Sequence, residues 1–121
     1  MVLRRMKTYT AETGHVYQYY FVGNREAFAD APEAPATEYV FDVTADRKTV
    51  YAISIFLRAD ALDAWALTHG RSLSRAEQYA AAKMRLLRGF EEIENLATTG
   101  RRWLITSENI EEVLADLGLS E

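Results

Sequence analysis

The segment HVYQYYFVG, residues 15–23, holds three of the seven tyrosines of the chain and one of its five phenylalanines. Side chains alternate along a strand, so Tyr17, Tyr19 and Phe21 share one face while Tyr20 lies on the other. Aromatic rings on both faces suit three uses: a central strand of the core, the seam of a homodimer, or a platform for a small ligand or an unpaired base. The sequence leaves all three open.

Lys83 is the residue least expected from its surroundings. At about 100° per residue, it lies in the middle of the apolar arc of a helix, with Tyr79 one turn before it and Leu87 one turn after. A lysine in that position extends its ammonium to water, pairs with a carboxylate, or binds an anion or carbonyl substrate in a pocket. The first two outcomes are the commoner, because lysines are rarely fully buried unless paired.

A second helical stripe contains Trp65 and His69. Together with Tyr79 and Lys83, these residues predict a pocket between the sheet and the long helix of a small-molecule-binding protein or enzyme. His69 also has a simpler interpretation, since a histidine in the last turn of a helix interacts favourably with the helix dipole.

Several classes of site are excluded by composition and motif. The chain has no cysteine, which excludes disulfides, zinc–thiolate sites, iron–sulfur clusters and cysteine nucleophiles. It has no GxxxxGK or GxGxxG phosphate loop, no HExxH and no GxSxG. The two histidines, His15 and His69, are far apart and have no local metal-ligand spacing. We therefore predict no catalytic residue, metal or cofactor.

Charge and hydropathy constrain partners and location. The net charge of −4 disfavours nucleic acid, although Arg101, Arg102 and Trp103 could join Arg71, Arg75 and Arg85, on one side of the long helix, in a basic face for a single strand. No stretch approaches the ~18 apolar residues of a membrane span. The start, MVLRRMKTYT, lacks the apolar run of a secretory signal, and Met6 is an alternative start. Cytoplasm is the expected location.

The periodicity of the chain predicts its elements. Alternation favours strands, and the spacing i, i+3, i+4, i+7 favours helices. Asp60 and Ser107 are expected helix caps, Ser74 and Glu77 form the pattern of a capping box, and Gly89 inside the long helix should cost about 1 kcal/mol relative to alanine. The predicted strands are 6–12, 15–22, 37–44, 49–57 and 102–106; the predicted helices are 60–68, 74–97 and 107–118; and residues 27–36, with Pro32 and Pro35, are predicted to be a surface connection.

Strands first and helices later indicate an α+β fold. We expect one domain over residues 1–121, with an antiparallel sheet of four or five strands and three C-terminal helices. The long helix, about 74–97, should cover one sheet face. The pattern does not decide which face is covered.

The leading functional expectation is a small soluble binding or protein-interaction module that acts by contact. It is expected to form a homodimer through the strand holding Tyr17, Tyr19, Tyr20 and Phe21. The first alternative is the small-molecule pocket lined by Tyr79, Lys83, Trp65 and His69. The second is binding of single-stranded nucleic acid, which the acidic total charge makes the least favoured.

Overall fold

The computed structural model describes residues 6–29, 34–115 and 117. Within them the chain forms five strands and three helices: β1 (Lys7–Thr10), β2 (Val16–Ala29), β3 (Ala34–Thr44), β4 (Tyr51–Arg58), α1 (Ala59–His69), α2 (Arg75–Glu92), β5 (Arg102–Ile105) and α3 (Ile110–Ala115). The predicted α+β fold, with the helices following the strands, is confirmed.

The strands lie side by side in chain order, β1-β2-β3-β4-β5. The first three pairings are antiparallel, as short connections between consecutive strands require. β5 instead pairs in parallel with β4, because the chain crosses over through α1 and α2 before it returns to the sheet. Gly14, at φ 94°, supplies the predicted left-handed residue in the turn before β2.

The β2–β3 hairpin is longer than the sequence predicted. β2 was expected to end at Val22, but the register shifts between Phe21 and Gly23 and pairing then continues to Ala29. This shift is a β-bulge, which accommodates an extra residue without ending the strand. The predicted surface connection is also wrong in part, since 27–29 and 34–36 pair with each other; Pro32 lies outside the described residues.

Two of the helix starts differ from those predicted. α2 begins with the expected capping box of Ser74 and Glu77. α1 has no side-chain cap; Asp60 lies in its first turn and accepts hydrogen bonds from Arg58. α3 begins at Ile110 rather than at Ser107, because a turn comes first in which the Asn109 carboxamide accepts from the Thr106 amide. Gly118, the predicted end of this helix, lies outside the described residues.

α2 ends at Glu92, five residues before the predicted end. Asn95 explains the difference, because its side chain accepts a hydrogen bond from the Ala97 amide and its carbonyl accepts from the amides of Thr98 and Thr99. Such local bonds compete with helix continuation.

All three helices pack on the same face of the sheet. The buried residues of α1, α2 and α3 join one core with Phe41, Ile53 and Leu57 of the central strands. Tyr17 and Tyr19 of β2 are buried on this covered face. No helix in the described part of the chain is both long and apolar enough to cross a membrane.

Candidate ligand-binding cleft

A cluster of four aromatic rings joins α2 to the middle of the sheet. Tyr79, in the second turn of α2, packs edge-on against Phe21 with ring centroids 4.9 Å apart. It also lies 6.4 Å from Tyr39 and 6.5 Å from Phe41. The capping box fixes where α2 begins, and strand alternation places the three β residues on one face of the sheet; the rings meet because α2 packs on that face.

A cleft of about 610 Å³ lies beside this cluster, between the β2–β3 hairpin and the start of α2. This volume is within the usual range for small-molecule sites. The hairpin can form one wall because β2 and β3 continue past the bulge. The lining residues are Asn24, Arg25, Glu26, Thr37 and Tyr39 from the hairpin and Arg75, Gln78 and Tyr79 from α2.

Tyr39 is the most buried residue of the cleft lining. It is 4% exposed, and its hydroxyl has no hydrogen-bond partner among the described residues. Burial raises the pKa of this phenol, and the nearby charge of Arg75 opposes the shift. The hydroxyl is therefore neutral at physiological pH and can both donate and accept a hydrogen bond.

A smaller cleft of about 150 Å³ shares Tyr79 with the first and is also lined by Lys7, Tyr19, Tyr20 and Phe21. Tyr19 is buried, which raises its pKa, while the charge of Lys7 acts in the opposite direction. We call the two adjoining clefts the tyrosine cleft.

Lys83 lies beside the tyrosine cleft. It is half-buried, with its Nζ 6.0 Å from the centroid of the Tyr19 ring, and it forms no ion pair with a described carboxylate. A cation at this distance from a tyrosine face is attracted by the ring quadrupole. The ammonium on the apolar arc is thus stabilised by an aromatic ring.

The predicted pocket residues fall into two groups. Tyr79 and Lys83 face the tyrosine cleft, together with Tyr19 and Phe21. Trp65 and His69 instead stack on each other, with ring centroids 4.3 Å apart.

The Trp65–His69 pair has its own set of neighbours. His69 Nε2 lies 2.9 Å from the carboxylate of Glu111 in α3, and the guanidinium of Arg71 lies 5.1 Å from the Trp65 ring. The indole Nε1 of Trp65 is buried without a partner among the described residues. The pair thus joins α1 to α3 and to the segment before α2.

Tyr17 lies apart from the tyrosine cleft. Its ring stacks on Phe90 at 4.5 Å with an interplanar angle of 6°. It lines a separate cleft of about 280 Å³ that also contains Asp46 and Glu94. Burial and the charge of Glu91 both raise the pKa of its phenol. The acidic surroundings distinguish it from Tyr19 and Tyr39, which have cations nearby.

Three arginines with a predicted role in a basic face are engaged with the fold itself. Arg101 donates to two backbone carbonyls at 2.7 and 2.6 Å. Arg85 donates to a carbonyl of β5 at 3.1 Å, and Arg71 pairs with Glu77 at 2.9 Å. These side chains therefore stabilise neighbouring turns and helix ends.

Tyr39 and Arg75 line the cleft, but the sequence did not predict either of them as a pocket residue. Part of this information is present in the sequence. Tyr39 lies on the strand face that also carries Phe41 and Val43, and Arg75 directly follows a predicted helix cap. What the sequence lacked was the extended hairpin that forms the far wall of the cleft. Among the described residues, no group of three or more histidines or carboxylates is placed to hold a metal ion.

No protein-family model, curated protein or solved structure matches this chain. The functional class therefore has to be inferred from the chemistry of its surfaces. The tyrosine cleft offers neutral phenols, exposed ring edges and cations, which are groups suited to binding by hydrogen bonds, stacking and charge.

Proposed function

We propose that this protein is a binding module that holds a small ligand in the tyrosine cleft and acts by contact rather than by covalent chemistry. The observation that carries the proposal is the hydroxyl of Tyr39, which belongs to a 4% exposed residue and has no partner among the described residues. Among the described side chains, the Trp65 indole nitrogen is the only buried polar atom without a partner, so the unpaired Tyr39 hydroxyl keeps access to solvent. A hydroxyl left open on a cleft is available to a ligand.

The walls of the cleft support this function. Tyr39 lies in the middle of a five-stranded sheet and Tyr79 lies on an 18-residue helix, so both rings are held by regular structure. Sites built on strands and helices are more rigid than sites on loops, and a rigid site loses less entropy when it binds.

A fragment screen by NMR tests the proposal. The library should contain anionic, neutral and cationic aromatic fragments, and we expect a subset to shift the ring signals of Tyr39, Tyr79 and Phe21. Tyr79→Leu should abolish those shifts, because it removes the ring shared by the two clefts. Tyr51→Leu, the same substitution on another strand, should leave them intact.

Two results would refute the ligand site. One is a library in which no fragment of any charge perturbs the tyrosine cleft. The other is a set of shifts that survives Tyr79→Leu in a protein that remains folded.

A second candidate function is self-association through the open face of the sheet. The supporting observation is that β2 presents Val16, 45% exposed, and Val22, 48% exposed, away from the core that packs against the helices. Apolar side chains exposed on one strand can take part in an isologous contact with a second copy. This seam would use Tyr20, whereas Tyr19 and Phe21 face the helices. The oligomeric state of a Val22→Lys variant tests it.

A further inference from the structure

We infer that the ligand of the tyrosine cleft is a small planar organic anion, with its acidic group between Arg75 and the Tyr39 hydroxyl. This inference rests on the proposed function and narrows it to a chemical class. The class follows from the charges around the cleft, from the unpaired Tyr39 hydroxyl that lines it, and from the arrangement of its rings.

The tyrosine cleft is locally cationic in an acidic protein. Arg75 and Lys7 line it and Lys83 lies beside it, and none of the three forms an ion pair with a described carboxylate. Glu26 is the acid among the lining residues, and Arg25 is already bound by Glu38 at 2.8 Å. The whole chain carries −4. A local excess of cations against that background attracts anions and repels cations.

Tyr39 and Arg75 form the specific part of the site. Arg75 is close enough to Tyr39 to affect the pKa of its phenol, and both line the same cleft. An anion between them would accept a hydrogen bond from the phenol and a charge-assisted bond from the guanidinium. The hydroxyl of Tyr39 keeps access to solvent, so a ligand there would replace water as its hydrogen-bond partner.

The capping box occupies two of the backbone amides at the start of α2. The Ser74 side chain accepts from the Glu77 amide, and the Glu77 carboxylate accepts from the Ser74 amide at 2.8 Å. Arg71 balances the negative charge of Glu77 with two further bonds, at 2.9 and 3.0 Å. The adjacent glutamate therefore leaves no uncompensated charge to repel the acidic group.

The planar body of the ligand follows from the ring arrangement. Tyr79 stands at 66° to Phe21, and both rings line the smaller part of the cleft. Flat aromatic molecules fit such a surface in offset-stacked or T-shaped contact. The joined cleft also exceeds the space that an inorganic ion would fill, because its larger part alone measures about 610 Å³.

A matched pair of probes tests the charge: 2-naphthoate and its neutral isostere 2-naphthamide, titrated by NMR at low and high salt. We expect the acid to bind about tenfold or more tightly than the amide, the size of effect that one charge-assisted hydrogen bond gives. Added salt should weaken the binding of 2-naphthoate and leave the affinity for 2-naphthamide unchanged. The third probe, 2-naphthyl phosphate, shows whether the site prefers a carboxylate or a phosphate.

Variants locate the acidic group. Arg75→Gln and Tyr39→Phe should each lower the affinity for 2-naphthoate about tenfold. The affinity should then be close to that of the wild type for 2-naphthamide. Tyr39→Phe removes a hydroxyl that has no described partner, so the stability of the protein should be unchanged. Lys48→Gln, which removes an exposed cation from the turn between β3 and β4, is the control and should bind like the wild type.

The outcomes separate this inference from the proposed function. The anion assignment is overturned if 2-naphthamide binds as tightly as 2-naphthoate, or if neither Arg75→Gln nor Tyr39→Phe changes the affinity for 2-naphthoate. In either case the cleft remains a binding site. If no probe binds and the fragment screen is also silent, both proposals fall.

Discussion

Gly89 is a residue of α2 that packs directly against the Trp103 indole of β5. A Cβ added there would lie 2.7 Å from two atoms of the Trp103 indole and closer still to a third. The indole is buried and anchored, since its Nε1 donates to the Gly100 carbonyl at 2.9 Å. The absence of a side chain at position 89 is therefore a packing requirement between the helix and the last strand.

Gly89→Ala should destabilise the protein by about 1–3 kcal/mol, the usual range for overpacking a core. Helix propensity alone predicts the opposite sign, a gain of about 1 kcal/mol. Urea unfolding measures the change, and Gly89→Ala in a Trp103→Leu background is the control. There the clash is removed, so the substitution should be neutral or stabilising. An equal loss in both backgrounds would mean that the indole is not the cause.

Gly89 and Tyr39 show what residue patterns can and cannot predict. Periodicity placed Gly89 inside a helix and Tyr39 on a strand, and both placements are confirmed. Neither pattern identifies the partner. Trp103 meets Gly89 only because β5 returns to the sheet beneath α2, and Tyr39 faces a cleft only because the helices cover that side. Those contacts depend on topology, which local sequence does not encode.

At the level of elements, the start of α2 is stabilised by an acid with two partners. Glu77 accepts from the Arg71 guanidinium and from the Ser74 amide, and these bonds lower the pKa of its carboxyl from 4.5 to about 2. A carboxyl with a depressed pKa in the folded state stabilises the fold above its unfolded pKa. That contribution is lost as the pH falls through the folded value.

Glu77→Gln should therefore flatten the pH dependence of stability between about pH 5 and pH 2. Above this window the wild type should be the more stable, and the two curves should converge toward pH 2. Unfolding midpoints in urea across the window measure the difference. Glu94→Gln, which removes an exposed carboxylate beyond the end of α2, controls for the loss of one charge. Parallel curves for wild type and Glu77→Gln would contradict the assignment.

The β2–β3 hairpin shows why element boundaries were harder to predict than element types. In the sequence Gly23 has the character of a strand end. In the structure it follows a bulge, and β2 continues past it. Pro35 resembled a loop residue, yet it pairs with Phe28. Proline is tolerated there because β4 pairs with β3 only from Ala36 onward, so Pro35 has an unpaired neighbour on one side. The far wall of the tyrosine cleft was missed for the same reason.

At the scale of the whole molecule, the sheet has two different faces. One is buried under three helices and ends in the tyrosine cleft. The other holds a smaller buried cluster around Phe56 and the Arg25–Glu38 ion pair, in which Glu38 also accepts from Ser54 at 2.6 Å; Val16 and Val22 of β2 are exposed. The order of strands and helices predicted a sheet with helices on one side, but only the three-dimensional contacts identify the covered face.

The open face provides the last prediction, which concerns self-association. If two copies pack through it, the twofold axis brings Val22 of each copy near the same interface, and Val22→Lys would bury two like charges there. We expect a dimeric wild type and a monomeric Val22→Lys variant in sedimentation experiments from micromolar to millimolar protein.

Leu67→Lys is the matched control, because Leu67 is 88% exposed on α1, which packs against the covered face. It should remain dimeric. A wild type that stays monomeric over the whole concentration range would rule out this seam. The tyrosine cleft would then be the remaining candidate surface, because it lies on the covered side and needs no second copy to be complete.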